Sequence, residues 1–237
     1  QPAGPITVLE NDPIPARDRL ATQANEIAQQ ANRWHWGTHL EQVARETDGT
    51  FRMGYSFFEP YSSIWTSVSL LPRVEFSGRF TRIMSGAIGV GDPVWQGYGD
   101  YKDKVINGKV VLLEEDWHTP SVAFGMHDVQ GTSLFVSKYL AASKQFGSLD
   151  ATVGFGRGRV DGLFAGARYA PGEWDGFALA AEYDANDYRQ DLYASQTGVD
   201  QRRKGVGLAL EYRWGWLGSQ LAWRDGKPSI NAYASVP

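Results

Sequence analysis

Four histidines, His35, His39, His118 and His127, and a few acidic pairs are the residues from which this chain could build catalytic or metal chemistry. His35 and His39 are four apart with Glu41 close by, a spacing that puts two ligands on one helix face. Gly37 lies between them and no third ligand is evident, so they read as solvated or rim histidines. His127 beside Asp128, with serines on neighbouring strands, has the residue types of a hydrolase relay. No nucleophile motif accompanies them, and polar filler of an interior is the better reading. Glu114-Glu115 and Asp184/Asp187 could be glycosidase carboxylates. Strand neighbours point to opposite faces, so Glu114 and Glu115 cannot both line one site. Gly154-Phe155-Gly156-Arg157-Gly158 imitates a nucleotide-binding loop, yet it alternates like a strand and no helix follows. Glycine there most simply makes room. We therefore expect no catalytic residue, no metal site and no cofactor.

Binding chemistry is better represented. The stretch from Gly89 to Tyr101 holds Trp95, Gln96, Tyr98 and Tyr101 among glycines and aspartates. Rings that stack on a sugar's C–H face, beside amides and acids that bond its hydroxyls, make this a candidate glycan-contact loop. The alternative is a loop folded onto a barrel mouth. Arg202, Arg203 and Lys204 could meet lipopolysaccharide phosphates or simply be solvated.

The elements that would carry these residues are strands. In Phe51-Arg52-Met53-Gly54-Tyr55-Ser56-Phe57 the large apolar groups fall on one face, and Arg, Gly and Ser on the other. The same rhythm recurs at Val74–Phe80 and Val206–Arg213. Its pattern predicts strands at 50–58, 62–71, 73–83, 104–115, 121–128, 132–143, 149–157, 161–169, 175–184, 204–213, 215–223 and 228–236. Each is near the length that a tilted strand needs to cross a bilayer. An apolar face backed by charges is the signature of a barrel with lipid outside and a polar lumen. Outward we expect Phe51, Met53, Tyr55, Phe57, Val74, Phe76, Phe80, Val122, Phe124 and Met126. Phe177, Leu179, Ala181, Tyr183, Val206, Leu208, Leu210 and Tyr212 should join them. Lining the lumen we expect Arg52, Glu75, Arg79, Lys109, His127, Glu182, Asp184, Glu211 and Arg213, either as a structural ion-pair network or as a selectivity lining.

The long connections, about 84–103 and 185–204, alternate with short ones such as Leu71-Pro72 and Trp214-Gly215. External loops of such barrels are long and periplasmic turns short, which puts the N-terminus in the periplasm. Composition agrees. An apolar fraction of 42% and a mean hydropathy of −0.38 are too polar for a helical membrane protein. The 27 glycines and an aromatic fraction of 13% suit strands and interfacial girdles. The absence of cysteine excludes disulfides and thiolate sites, and a net charge of −4 argues against a nucleic-acid partner. The chain opens on Gln1 without an apolar leader, which we read as a processed or truncated chain.

Ahead of the strands, Leu20, Ala24, Ile27, Ala31 and Trp34 recur at helical spacing. Residues 1–46 are therefore expected to form an extended and helical periplasmic segment. It would pack on the rim, plug the lumen or present Leu20, Ile27 and Trp34 to a partner. Residues 47–237 would be the barrel, either by themselves or as part of a longer barrel protein.

The middle of the chain also carries a succession of motifs. Asp103-Lys104, Leu112-Leu113-Glu114-Glu115 and Pro120–Asp128 are followed by Gly131-Thr132, Ser137–Lys144, Gly154–Gly158 and Ala181-Glu182-Tyr183-Asp184. From about residue 44 onward the chain resembles the YjbH-like family of outer-membrane β-barrel proteins linked to exopolysaccharide production in Gram-negative bacteria. Three places depart from the family pattern. Its "GTG" reads Gly131-Thr132-Ser133, its "SEY" reads Ser137-Lys138-Tyr139, and its "GWG" reads Gly156-Arg157-Gly158. Family members are also much longer. The resemblance implies an outer-membrane barrel serving exopolysaccharide production or export, as a passive conduit or docking component. The alternatives are a closed assembly barrel recruiting periplasmic partners through its N-terminal helix and, third, a barrel-embedded hydrolase. The expected partners are outer-membrane lipid and lipopolysaccharide, a polysaccharide, and periplasmic or outer-membrane proteins. About twelve strands enclose a lumen that side chains largely fill, whereas open porins use more strands.

Overall fold

The computed structural model describes residues 50–71, 73–83, 100–188, 205–224 and 226–236. Twelve strands follow one another: β1 (Phe51–Phe58), β2 (Tyr61–Leu71), β3 (Val74–Ile83), β4 (Tyr101–Leu113), β5 (Ser121–Gly131) and β6 (Ser137–Phe146). Then come β7 (Leu149–Gly158), β8 (Gly162–Tyr169), β9 (Phe177–Asp184), β10 (Gly205–Trp214), β11 (Leu217–Arg224) and β12 (Lys227–Val236). Each pairs antiparallel with its sequence neighbours, and β1 closes on β12 from Phe51↔Val236 to Phe58↔Ser229. Closure leaves no unpaired strand edge, which is what a sheet facing lipid requires. A short 3₁₀ turn, Gly172–Trp174, lies between β8 and β9. No helix among the described residues is long and apolar enough to cross a membrane.

All twelve expected strands are present, most of them within two residues of the expected bounds, and the displacements fall on β4 to β6. β4 starts at Tyr101 rather than 104, β5 runs to Gly131 rather than 128, and β6 begins at Ser137 rather than 132 and ends at Phe146. Asp128 and Ser133 adopt left-handed conformations, and the β4–β5 register slips between Ile106 and Gly108. The chain after β5 thus turns into the barrel mouth before β6 starts. The expected segment 1–46 with Leu20, Ile27 and Trp34 lies outside the described residues. So do Trp95, Gln96 and Tyr98, and Arg202, Arg203 and Lys204.

The two faces of the sheet differ sharply. Outside stand Phe51, Met53, Tyr55, Phe76, Leu179, Leu208, Leu210 and Trp223, all exposed. Inside, Arg52, Glu75, Lys109, Glu182, Asp184 and Asn231 are all at most 6% exposed. That inversion of a soluble core is the arrangement of a transmembrane barrel. The two ends differ as well. Thr50, Val236 and the connections 114–120, 147–148, 170–176 and 215–216 share one end, here the terminal end. Trp117, Trp174, Trp214 and Trp216 are exposed there, as an interfacial girdle would be.

Candidate functional site

The barrel interior collects the charges that alternation assigns to it. Glu75 and Lys109 are direct cross-strand partners, and Lys109 Nζ stands 2.6 Å from Glu75 Oε2 with both side chains buried. Arg168 donates from Nε to Glu211 Oε2 at 2.7 Å, and Gln220 Nε2 to Glu211 Oε1 at 3.3 Å. Arg52 donates to Ser235 Oγ at 3.3 Å, and Arg213 to the carbonyl of Gly215 at 2.8 Å. Arg79 and Arg159 act electrostatically on Asp103, against the like charge of Asp128. Arg52, Arg168, Glu211 and Arg213 also act electrostatically on one another or on the phenol of Tyr233, so they form one group.

The densest group closes the end away from the termini. Arg224 donates from Nη1 to Asp184 Oδ2 at 2.6 Å and to Tyr188 Oη at 2.7 Å, and from Nη2 to Glu182 Oε1 at 3.2 Å. Tyr188 in turn donates to Asp184 Oδ2 at 2.8 Å. Burial pushes the Tyr188 phenol well above its ordinary range, so it holds its proton as that donor. Phe58, Tyr61, Ile83, Val105, Phe135 and Tyr188 pack into one cluster, with Tyr101 and Leu134 against it. The guanidinium of Arg159 lies among three of these rings, 4.2 Å from Phe135, 5.3 Å from Tyr188 and 5.6 Å from Tyr61.

Backbone hydrogen bonds tie this cap together. Arg159 donates its N–H to Val136 O, Asp161 to Ala185 O, and Asp187 to Arg159 O. Asp128 accepts the Phe135 N–H at 3.1 Å on Oδ2, while its own N–H donates to Asn107 Oδ1 at 2.9 Å. The β5–β6, β7–β8 and β9–β10 connections are thus stitched to one another across the mouth. Tyr101, expected in a glycan-contact loop, begins β4 and packs on this cap.

The hydrolase-like residues form a contact without access. His127 Nδ1 lies 2.7 Å from Ser137 Oγ, and its ring packs on Tyr139 at 5.2 Å. Ser137 is only 1% exposed, and Asp128 is engaged by Phe135. Glu114 and Glu115 lie beyond the end of β4. Glu114 bonds Arg73, while Glu115 accepts the Gln145 N–H. His118 sits in the same turn, its N–H donating to Asp116 Oδ1. His35, His39 and Glu41 lie outside the described residues, and no group of three metal-ligating side chains occurs among those described.

Sequence reasoning missed the cap residues. Phe58 and Arg224 could have been found, because they share the inward parity of Arg52 and Gln220 on their strands. Arg159 and Tyr188 sit in connections, where period two carries no information.

The profile of one family, YjbH, described as exopolysaccharide biosynthesis protein YbjH, matches residues 43–163. The chain is also similar to the uncharacterized lipoprotein YjbH of Escherichia coli (strain K12), at 30% identity in a 229-residue alignment covering 80% of this chain and 32% of that protein. It therefore spans about a third of the length of that curated relative. Among solved structures it is similar to the KdgM porin, with a TM-score of 0.48, 8% identity, and 79% of this chain and 98% of that one covered. The KdgM porin in complex with disordered oligogalacturonate gives 0.47, 10%, 79% and 98%. The COG4313 outer membrane channel from Pseudomonas putida F1 gives 0.40, 11%, 83% and 99%.

Proposed function

The chain belongs to the YjbH exopolysaccharide-biosynthesis family, and from that premise we propose that it is an outer-membrane barrel that serves exopolysaccharide production as a closed docking component. The single observation that carries this reading is the filled interior. Tyr61, Ile83, Phe135 and Tyr188 close the mouth at exposures of 0–6%, and Arg224 is bonded to Asp184, Glu182 and Tyr188 beneath them. A polymer needs a wide hydrated path, and a lumen packed with rings and paired charges offers none.

In this reading the termini lie on the periplasmic side, supported by the long connections at the capped end. The segment 1–46, in which Leu20, Ile27 and Trp34 recur at helical spacing in the sequence, reaches a periplasmic partner. The barrel supplies the membrane address, and the energy for polymer movement comes from synthesis or pumping elsewhere. Arg52, Glu75, Lys109, Glu182, Asp184, Glu211 and Arg213 hold the interior together rather than select a solute.

Planar-bilayer conductance of the refolded chain tests this directly. The expected result is insertion with little current, and a marked rise for the double variant Arg159→Ala/Phe135→Ala, which removes the guanidinium and a ring it stacks on. A large steady conductance in the unaltered chain, unchanged in the variant, would establish the conduit reading instead.

A further inference from the structure

On the outer face of the barrel, charged side chains are few and of one sign. Arg82, Lys102, Lys104, Lys138, Lys144 and Arg157 alternate outward along β3, β4, β6 and β7, and no acid does so on any strand among the described residues. All but Lys144 lie near the capped end. Arg82 meets Asp100, Lys104 lies 5.9 Å from the Phe80 ring, and Lys144 bonds carbonyls of the 114–120 turn.

Lys138 and Arg157 are different. They are direct cross-strand partners on β6 and β7, both exposed, and no carboxylate pairs with either among the described residues. Direct partners bring their Cβ atoms to about 5 Å, and like charges placed so repel. An apolar band begins one step down the ladder, at the partners Leu140 and Phe155, both exposed. A barrel face gains nothing from two uncompensated cations at the top of its lipid-facing band unless an anion sits between them.

We propose that Lys138 and Arg157 form a seat for the phosphate of a phosphorylated glycolipid in the outer leaflet. The inference rests on the outer-membrane reading given above. Arg offers a planar fork that bonds two phosphate oxygens, and Lys adds a compact charge on the other side. A lipid presents its phosphate above acyl chains, as the pair stands above Leu140 and Phe155. An acidic polymer inside the lumen would never meet this outward face. The capped end is the external one in that reading, and there the phosphate-bearing lipid is a glycolipid.

The experiment uses the full chain in detergent, with native mass spectrometry of retained lipid. The probes are phosphorylated lipopolysaccharide, the same material stripped of phosphate, and phosphatidylglycerol. The chain should retain the first, and Lys138→Gln/Arg157→Gln should lower that retention about ten- to thirty-fold, as expected for two cations near a charged headgroup. Lys102→Gln, an outward charge at the same end, should leave it within about two-fold. Heat-shifted gel migration verifies that each variant is a folded barrel. Equal retention in the double variant overturns the seat. So does an equal loss in Lys102→Gln, or equal retention of the stripped lipid or of phosphatidylglycerol. If the native chain leaves membranes in carbonate without detergent, the membrane reading itself fails and the seat falls with it. A detergent-dependent chain with no phosphate preference removes the seat alone.

Discussion

Gly154 and Phe164 are direct cross-strand partners on β7 and β8, and the ring of Phe164 occupies the place a side chain at Gly154 would need. A Cβ there would stand 2.1 Å from Phe164 Cζ and 2.8 Å from Leu140 O. The same relationship recurs at Gly54 under Trp65, Gly125 under Tyr139 and Gly218 under Tyr233, each a direct partner pair. Inward glycines thus let large rings lie flat across the neighbouring strand and fill the lumen from its wall.

Gly154→Ala should therefore destabilise the barrel by about 1–3 kcal/mol through overpacking. Phe164→Leu in the same chain should return much of that loss, because the two positions share one space. Urea unfolding in detergent micelles would measure both. An additive double variant would mean that the ring is not what Gly154 accommodates.

Period two made most of the wall legible. Once Phe51, Met53 and Tyr55 face outward, Arg52, Gly54 and Ser56 must face inward, whereas an even strand count only permits the antiparallel β1–β12 seam that closes the barrel. Alternation fails where the backbone leaves the pleat. Asp128 takes a left-handed conformation, and so it lies buried beside His127 instead of opposite it. Arg159 and Tyr188 sit in connections and act through long-range contacts, so their place under the cap could not be read from local pattern. The departures from the family pattern at Lys138 and Arg157 lie in different motifs of the sequence. Only the β6–β7 register makes them neighbours.

The Glu75–Lys109 pair should behave as a buried ion pair. Glu75→Ala removes the carboxylate beside a buried ammonium and should cost about 3–5 kcal/mol, whereas Glu75→Leu/Lys109→Met should be close to neutral. The comparison is again by unfolding in detergent. A Glu75→Ala loss no larger than about 1 kcal/mol, the scale of an exposed pair, would show that water reaches the site.

Asp116 makes the turn after β4 sensitive to acid. Its Oδ1 accepts the N–H groups of His118 and Thr119, both at 2.7 Å, and these bonds hold the carboxyl below its ordinary value of 3.8. A depressed folded pKa stabilises the turn above that ordinary value and releases it as pH falls through the lower one. Hydrogen exchange at the two amides should therefore lose protection only below about pH 4. In Asp116→Ala protection should be low at every pH. An acid step that survives in the variant would assign the effect to another group.

Arg224 should be the residue whose loss opens the cap. Arg224→Ala leaves Asp184 and Glu182 buried without the cation that bonds both, and should cost about 3–5 kcal/mol. Arg224→Lys keeps the charge but loses the fork, and should fall between. Tyr188 gives a local readout, because its hydroxyl bonds both Arg224 and Asp184 and is fully buried. Nitration of Tyr188, followed by peptide mass spectrometry, should be slow in the native chain and fast in Arg224→Ala. Alkali should act by the same route. The phenol's raised pKa means that its contribution is complete below its ordinary 10.0 and is lost as pH climbs through the higher folded value. Conductance appearing only above that ordinary value, together with nitration, would tie the closed mouth to this one proton. Nitration at equal rates in both chains would place the closure elsewhere.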